Sequence, residues 1–124
     1  LSPAPAIEAR LLAVVFCGGV LGTLARAGLV EAWTPRPGHW PWATFVVNVA
    51  GAALLGWIAA RRGPADRGRA LVGTGFCGAL TTFSTMQLEV LRMLAASRAG
   101  LALLYVSGSV AAGLGASWLG ARGA

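Results

Sequence analysis

The chain has 124 residues, of which 56% are hydrophobic and only 11% charged. A soluble domain of this size needs a more charged surface, so this composition excludes one and points to lipid as the solvent of the apolar residues. Ten arginines face only Glu8, Glu31, Asp66 and Glu89, but they are scattered between apolar runs, which argues against a nucleic-acid-tracking face.

In chain order, Leu1–Ala6, with Pro3 and Pro5, is expected to be a short disordered or extended lead. A first apolar run, Leu11–Val30, carries a single charge, Arg26. Ala25-Arg26-Ala27 mimics a signal-cleavage site, yet only Arg10 offers a basic start and three more apolar runs follow, so retention is expected. The segment from Thr34 to His39 holds two prolines and a glycine and ends this helix. Trp33, Trp40 and Trp42 around it read as an interfacial aromatic belt, with His39 solvated or interfacial.

The second run, Pro41–Ala60, the third, Ala70–Leu88, and the fourth, Ala99–Gly120, carry no charge. Arg61 to Arg69 form a basic turn, and Arg98 with Gly100 marks the last, tightest one. Runs of about 20 residues match a helix crossing a hydrocarbon core of about 30 Å. The expectation is one all-α transmembrane domain over residues 1–124, with four spans at about 11–30, 41–60, 70–94 and 99–120. With both termini on one side, that side holds Arg10, Arg61, Arg62, Arg67, Arg69 and Arg122, and the other Arg36, Arg92 and Arg98. This bias favours cytoplasmic termini. Cys17 and Cys77 read as small buried hydrophobes with free thiols.

Polar residues inside the runs carry the functional signal. Gly18, Gly22 and Arg26 are spaced by four, which puts a close-packing groove and a charge on one helix face. Arg26 either snorkels to the interface or stands in a wet vestibule that attracts anions. Thr44 and Asn48 share a face of the second helix, where Asn48 serves as interhelical glue or as a pore-lining donor. Residues 73–85 place three glycines (Gly73, Gly75, Gly78) and five hydroxyl side chains within the third span. Glycine costs about 1 kcal/mol relative to alanine in a helix, and paired Thr81-Thr82 competes for backbone bonds. A break near midspan is therefore expected, and broken helices at membrane depth persist only inside protein or around an ion. Tyr105, Ser107 and Ser109 on the fourth helix continue a polar track or glue helices together.

Three segments resemble the CrcB/Fluc fluoride channels: Gly18-x-x-x-Gly22-x-x-x-Arg26, residues 42–51 from Trp42 to Gly51, and residues 75–85 from Gly75 to Thr85. The similarity spans most of the chain, from about Gly18 to Ser117. It implies an antiparallel, inverted dimer of four-helix protomers with two fluoride pores, the third helix broken near its middle, in the bacterial inner membrane. It also implies a structural sodium ion at the dimer interface, held on this sequence by the carbonyls of Gly78 and Thr81. Fluoride-pathway roles carry over to Asn48 as donor, Phe83 as an aromatic-edge contact, Thr44, Ser84 and Ser109 as hydroxyl contacts, Tyr105 as a pore aromatic and Arg26 as the vestibule arginine. Members commonly carry a second Phe on the pathway where this chain has Met86, and often Ser where it has Gly113. Donor groups and positive ring edges are what a small, tightly hydrated anion needs in place of water.

The resemblance implies passive export of cytoplasmic fluoride by a dimer; the arginine bias and Met86 point to an alternative, a heterodimer with a related subunit in which this chain conducts weakly or not at all. A small multidrug-resistance-type transporter shares four spans, but it needs a carboxylate in the first helix, where this chain has Arg26. An enzyme is not expected, since no nucleophile–base pair or metal-ligand cluster is present.

Overall fold

The computed structural model describes residues 8–34 and 36–124, and the expected N-terminal lead lies outside these. All the regular structure among them is helical. Helix α1 spans Ala9–Ala32 and α2 spans Trp42–Arg61. Residues 67–80 form α3, a composite of an α-helical turn at Arg67–Arg69, a π-helix at Ala70–Cys77 and a last turn at Gly78–Leu80. Helix α4 spans Phe83–Ala95 and α5 spans Ala99–Arg122. At 1.5 Å per residue, α1 and α5 are each about 36 Å long. Helices α1, α2 and α5 are long and apolar enough to cross a membrane.

Local chemistry sets the helix ends. Pro41, which has no N–H to leave unpaired, precedes α2. Asp66 caps α3, its Oδ1 accepting from the Arg69 N–H at 3.0 Å, and Thr82 caps α4, its Oγ1 accepting from the Thr85 N–H at 3.2 Å. The Arg69 and Ala70 N–H groups thus find partners at Asp66, as the start of a helix requires. Helix α4 ends in a Schellman turn: Arg98 N–H bonds to Met93 O at 2.9 Å and Ser97 N–H to Leu94 O at 3.0 Å. Ser97 takes the left-handed conformation (φ 59°) that glycine usually fills there. Arg98 also donates to the Gly38 carbonyl, tying this turn to the α1–α2 connection.

Two helix pairs form the frame. Helix α1 lies against α3, and a Cβ on Gly18 or Gly22 would collide with the backbone of Leu71 or Phe76. Helix α2 lies along α5, with Gly56 against Ser117 and Gly120 against Ala53. Small residues permit this backbone approach, which substitutes packing for a hydrophobic drive that lipid does not provide. A separate apolar cluster of Met86, Met93, Ala102 and Tyr105 joins α4 to α5, with Trp40 and Phe45 packed on it. The outer surface is apolar, including Phe16, Leu103 and Leu114. Cys77 is buried as the sequence suggests, whereas Cys17 is exposed on α1, because the glycine face of that helix and not its cysteine faces α3.

Candidate functional site

The site is built where α3 stops. Thr81 (φ −76°, ψ 149°) and Thr82 (φ −146°, ψ 117°) are extended, so the helical ladder is interrupted between Leu80 and Phe83. Gly73 and Gly75 lie one to two turns earlier, in the π-helix, where they pack closely on Leu55 and on α1. Interruption frees the last carbonyls of α3, and each freed group needs a partner.

Cys77 O accepts from the Thr81 N–H at 3.1 Å and from Thr81 Oγ1 at 2.9 Å. Ala79 O accepts from Arg26 Nε at 3.0 Å. Arg26 therefore reaches across from α1 to the C-terminal end of α3, where a cation suits both the free carbonyl and the helix dipole. Among the described hydrogen bonds, none ends on the carbonyl of Gly78 or of Thr81. The donors that a continuous helix would aim at them are engaged elsewhere: Thr82 N–H with Asn48 and Thr85 N–H with Thr82 Oγ1.

Asn48 holds the break from the α2 side. Its Oδ1 accepts from the Thr82 N–H at 2.7 Å, and its Nδ2 donates to the Thr82 carbonyl at 3.1 Å. This pair of bonds satisfies both backbone groups of one extended residue and leaves one amide N–H of Asn48 for another acceptor. Asn48, Thr81, Thr82 and Phe83 line a concavity of about 240 Å³. The Phe83 ring beside it is 66% exposed, Ser84 is exposed too, and Ser84 Oγ lies 3.5 Å from Thr82 Oγ1.

One turn before Asn48, Thr44 belongs to a second polar group. Thr44 Oγ1 and Tyr105 OH each donate to Glu89 at 2.6 Å, one to each carboxylate oxygen. All three are buried, Glu89 at 5% exposure. The hydroxyls of Thr44 and Tyr105 are thus committed to a carboxylate supplied by α4. The Tyr105 ring stands edge-on to Trp40, with centroids 5.3 Å apart. Ser109 Oγ, one turn beyond Tyr105, is buried without a hydrogen-bond partner among the described residues. Met86 is buried in the apolar cluster against this group.

The resemblance assigns Asn48, Phe83 and Ser84 to one pathway; the structure places Asn48 and Phe83 on one concavity, with Ser84 next in sequence and exposed. Glu89 lies just past the charge-free third run that ends at Leu88 and inside the expected span 70–94, and the sequence reading assigns it no role. The signal was present: Glu89 lies within a helical stretch followed by Val90, Leu91, Met93 and Leu94, and an ionisable residue in such a stretch is a functional candidate by default. A carboxylate thus lies inside the helical core, on α4 and not on the first helix.

Long apolar helices, small-residue packing and an interrupted helix clasped by a polar side chain define a multi-pass membrane protein with an internal polar site. Comparison with known proteins narrows this class. Residues 13–121 match the family described as CrcB-like protein, Camphor Resistance (CrcB). Fluoride-specific ion channel FluC 1 of Mycolicibacterium paratuberculosis is 53% identical over 109 residues, covering 85% of this chain and 83% of its own length. FluC 1 of Mycobacterium bovis is 49% identical over 114 residues (89% and 86%), and FluC of Stutzerimonas stutzeri 42% over 120 residues (90% and 94%). The chain belongs to the CrcB family, and it is a multi-pass bacterial membrane protein.

Proposed function

We propose that this chain is a protomer of a fluoride-specific ion channel that passes fluoride without coupling. The observation that carries this reading is the Asn48 clasp on Thr82, which sets an amide donor beside the exposed ring of Phe83 at the helix break. The names of its relatives, fluoride-specific ion channels, support the same function and not an enzymatic one.

In this reading fluoride moves along Asn48, Phe83 and Ser84 and on toward Ser109, with Met86 beside it; Thr44 and Tyr105, whose hydroxyls are held by Glu89, line the route without donating to the ion. The free amide N–H of Asn48 and the positive edge of the Phe83 ring replace water around the anion. Sparse, separated donors let the ion leave again. Arg26 contributes positive charge while holding Ala79 O. Ser109 Oγ, buried with no bond among the described residues, is free to donate to a passing anion.

The unpartnered carbonyls of Gly78 and Thr81 suit a sodium ion, since a hard cation prefers oxygen ligands. Gly78 is exposed on this protomer, so a second, inverted copy bringing its own pair would complete such a site at the interface. When bound, the ion would supply positive charge that pins the two breaks together. The partner is a second copy or a related chain in inverted orientation. Heterodimer formation with one weak pore is favoured by the arginine bias of the loops and by Met86 at a position that commonly holds Phe. Export of cytoplasmic fluoride across the inner membrane is the corresponding physiological direction.

The test is ion efflux from liposomes containing the purified chain, with fluoride and then chloride as the trapped anion. Fluoride efflux that follows its electrochemical gradient, with chloride retained, is expected. Strict one-for-one proton coupling would overturn the channel reading. Size analysis of the chain expressed alone, with and without a related subunit, separates the two dimers.

A further inference from the structure

The α1–α2 connection carries chemistry that the fluoride pathway does not use. A cavity of about 670 Å³ opens there, lined by Ala32, Trp33, Thr34, Arg36, His39, Trp40 and Trp42. Its volume falls within the range of small-molecule sites. Trp33 and Trp42 are half exposed, so indole walls flank a polar floor of hydroxyl, imidazole and guanidinium. Among the described residues the Arg36 guanidinium makes no ion pair and no hydrogen bond, unlike Arg61 and Arg122 at the opposite end, which stack on Trp57 and Trp118.

Positive charge gathers around this loop. Arg36 and His39 also border a smaller cavity with Arg92, and Arg98 is bound to the Gly38 carbonyl. Two carboxylates lie near. Glu31 is exposed on the last turn of α1 but lines neither cavity, and Glu89 is buried and already engaged by Thr44 and Tyr105. The connection joins the ends of two membrane-spanning helices, which puts the cavity at headgroup depth, where tryptophans concentrate.

We propose that this cavity binds the phosphodiester headgroup of an anionic phospholipid, with Arg36 and His39 on the phosphate and Trp33 and Trp42 against the glycerol and upper acyl chains. Guanidinium and imidazole N–H groups match phosphate oxygens as donors, and Arg takes phosphate in a forked geometry, while the Thr34 hydroxyl donates to the Glu31 carbonyl at 3.3 Å. Basic pockets between helices at the membrane surface hold anionic headgroups by these interactions. The inference is independent of which ion the protein conducts.

The test uses the full chain with Trp57→Phe and Trp118→Phe, so that the remaining tryptophans report on this end alone. The chain in detergent is titrated with brominated phosphatidylglycerol or brominated phosphatidylcholine, whose bromines quench indole fluorescence at short range. Phosphatidylglycerol is expected to quench at a concentration about fivefold lower or better, the effect of roughly one unopposed surface arginine. Arg36→Gln with His39→Gln, both exposed positions, is expected to erase that preference while leaving phosphatidylcholine quenching unchanged. Equal quenching by both lipids, or a preference that survives the double variant, would overturn the proposal. Millimolar inorganic phosphate that binds and abolishes the preference as effectively as the lipid would mark a free-anion site and overturn it too.

Discussion

Replacing Asn48 by Asp tests the clasp with the smallest change available. The substitution is isosteric and keeps an oxygen to accept the Thr82 N–H bond, now 2.7 Å long. The other position changes from a donor 3.1 Å from the Thr82 carbonyl to an acceptor facing an acceptor. Loss of one net hydrogen bond costs about 1 kcal/mol, and leaving a carbonyl unpaired beside a carboxylate raises this to about 1–3 kcal/mol. The effect on conduction is larger. A carboxylate about 4 Å from a fluoride opposes it by about 4 kcal/mol at an effective dielectric constant of about 20. At 1.4 kcal/mol per factor of ten, passage should fall by about three orders of magnitude. Asn48→Leu supplies the comparison: it loses both bonds but adds no charge, so it should be the less stable variant yet the milder block wherever it still folds. Melting temperature in detergent and fluoride efflux from liposomes read the two effects separately. A monodisperse Asn48→Asp protein with efflux within twofold of the unmodified chain would refute the place of Asn48 on the pathway, and an unchanged melting temperature would refute the clasp.

Three further outcomes follow from the same geometry. Phe83→Ile should lower fluoride efflux by tenfold or more, on the order of a 1.4 kcal/mol loss of anion stabilisation, while leaving the melting temperature nearly unchanged because the ring is largely exposed. Gly22→Ala should cost about 1–3 kcal/mol of stability, since a Cβ there meets the Phe76 carbonyl and the Leu80 N–H, whereas Gly28→Ala, with nothing within 4 Å, should be neutral or slightly stabilising; thermal melts of the pair decide. Asp66, whose carboxyl is held below its ordinary 3.8 first by the Arg69 backbone N–H and then by Arg62, stabilises the cap in its charged form. Its contribution is complete above the unfolded value and is lost as pH falls through the lower folded value, so the melting-temperature deficit of Asp66→Ala should be full at neutral pH and shrink below about pH 4.

Helix existence was legible because each run is long, apolar and bounded by Pro, Gly or Arg, signals that operate within a few residues. In the third run, extended residues separate α3 from α4. Its glycines do not make the gap: Gly75 packs against α1, Gly73 against Leu55, and the gap falls at Thr81 and Thr82. What stabilises an extended pair at that point is Asn48, more than thirty residues away in sequence, a contact that no local periodicity encodes. Arg26 shows the same limit. Its spacing from Gly18 and Gly22 put it on the α3-facing side, yet its partner, Ala79 O, exists only because α3 stops at Leu80. Thr44 and Tyr105 were identified as hydroxyl-bearing residues, but the acceptor that turns both hydroxyls inward comes from a third helix.

Glu89 bears on the question of coupling. A proton-coupled cation exchanger needs a carboxylate that alternately holds a proton and a substrate cation, and so one that is free to exchange partners. Here each Glu89 oxygen is occupied, by Thr44 of α2 and by Tyr105 of α5, at 2.6 Å. Releasing both bonds would remove the polar ties of α4 to two helices at once and leave a buried carboxylate unpaired, which is strongly unfavourable. The cavity of about 80 Å³ that borders Glu89 is also lined by Arg92, whose charge repels a cation and attracts an anion. Helix α1, in turn, places an arginine and no carboxylate opposite the helix break, with its guanidinium bound to Ala79 O. A buried carboxylate fixed by two hydroxyls beneath a basic mouth serves to hold α2, α4 and α5 in register, and its surroundings favour anion passage over cation exchange.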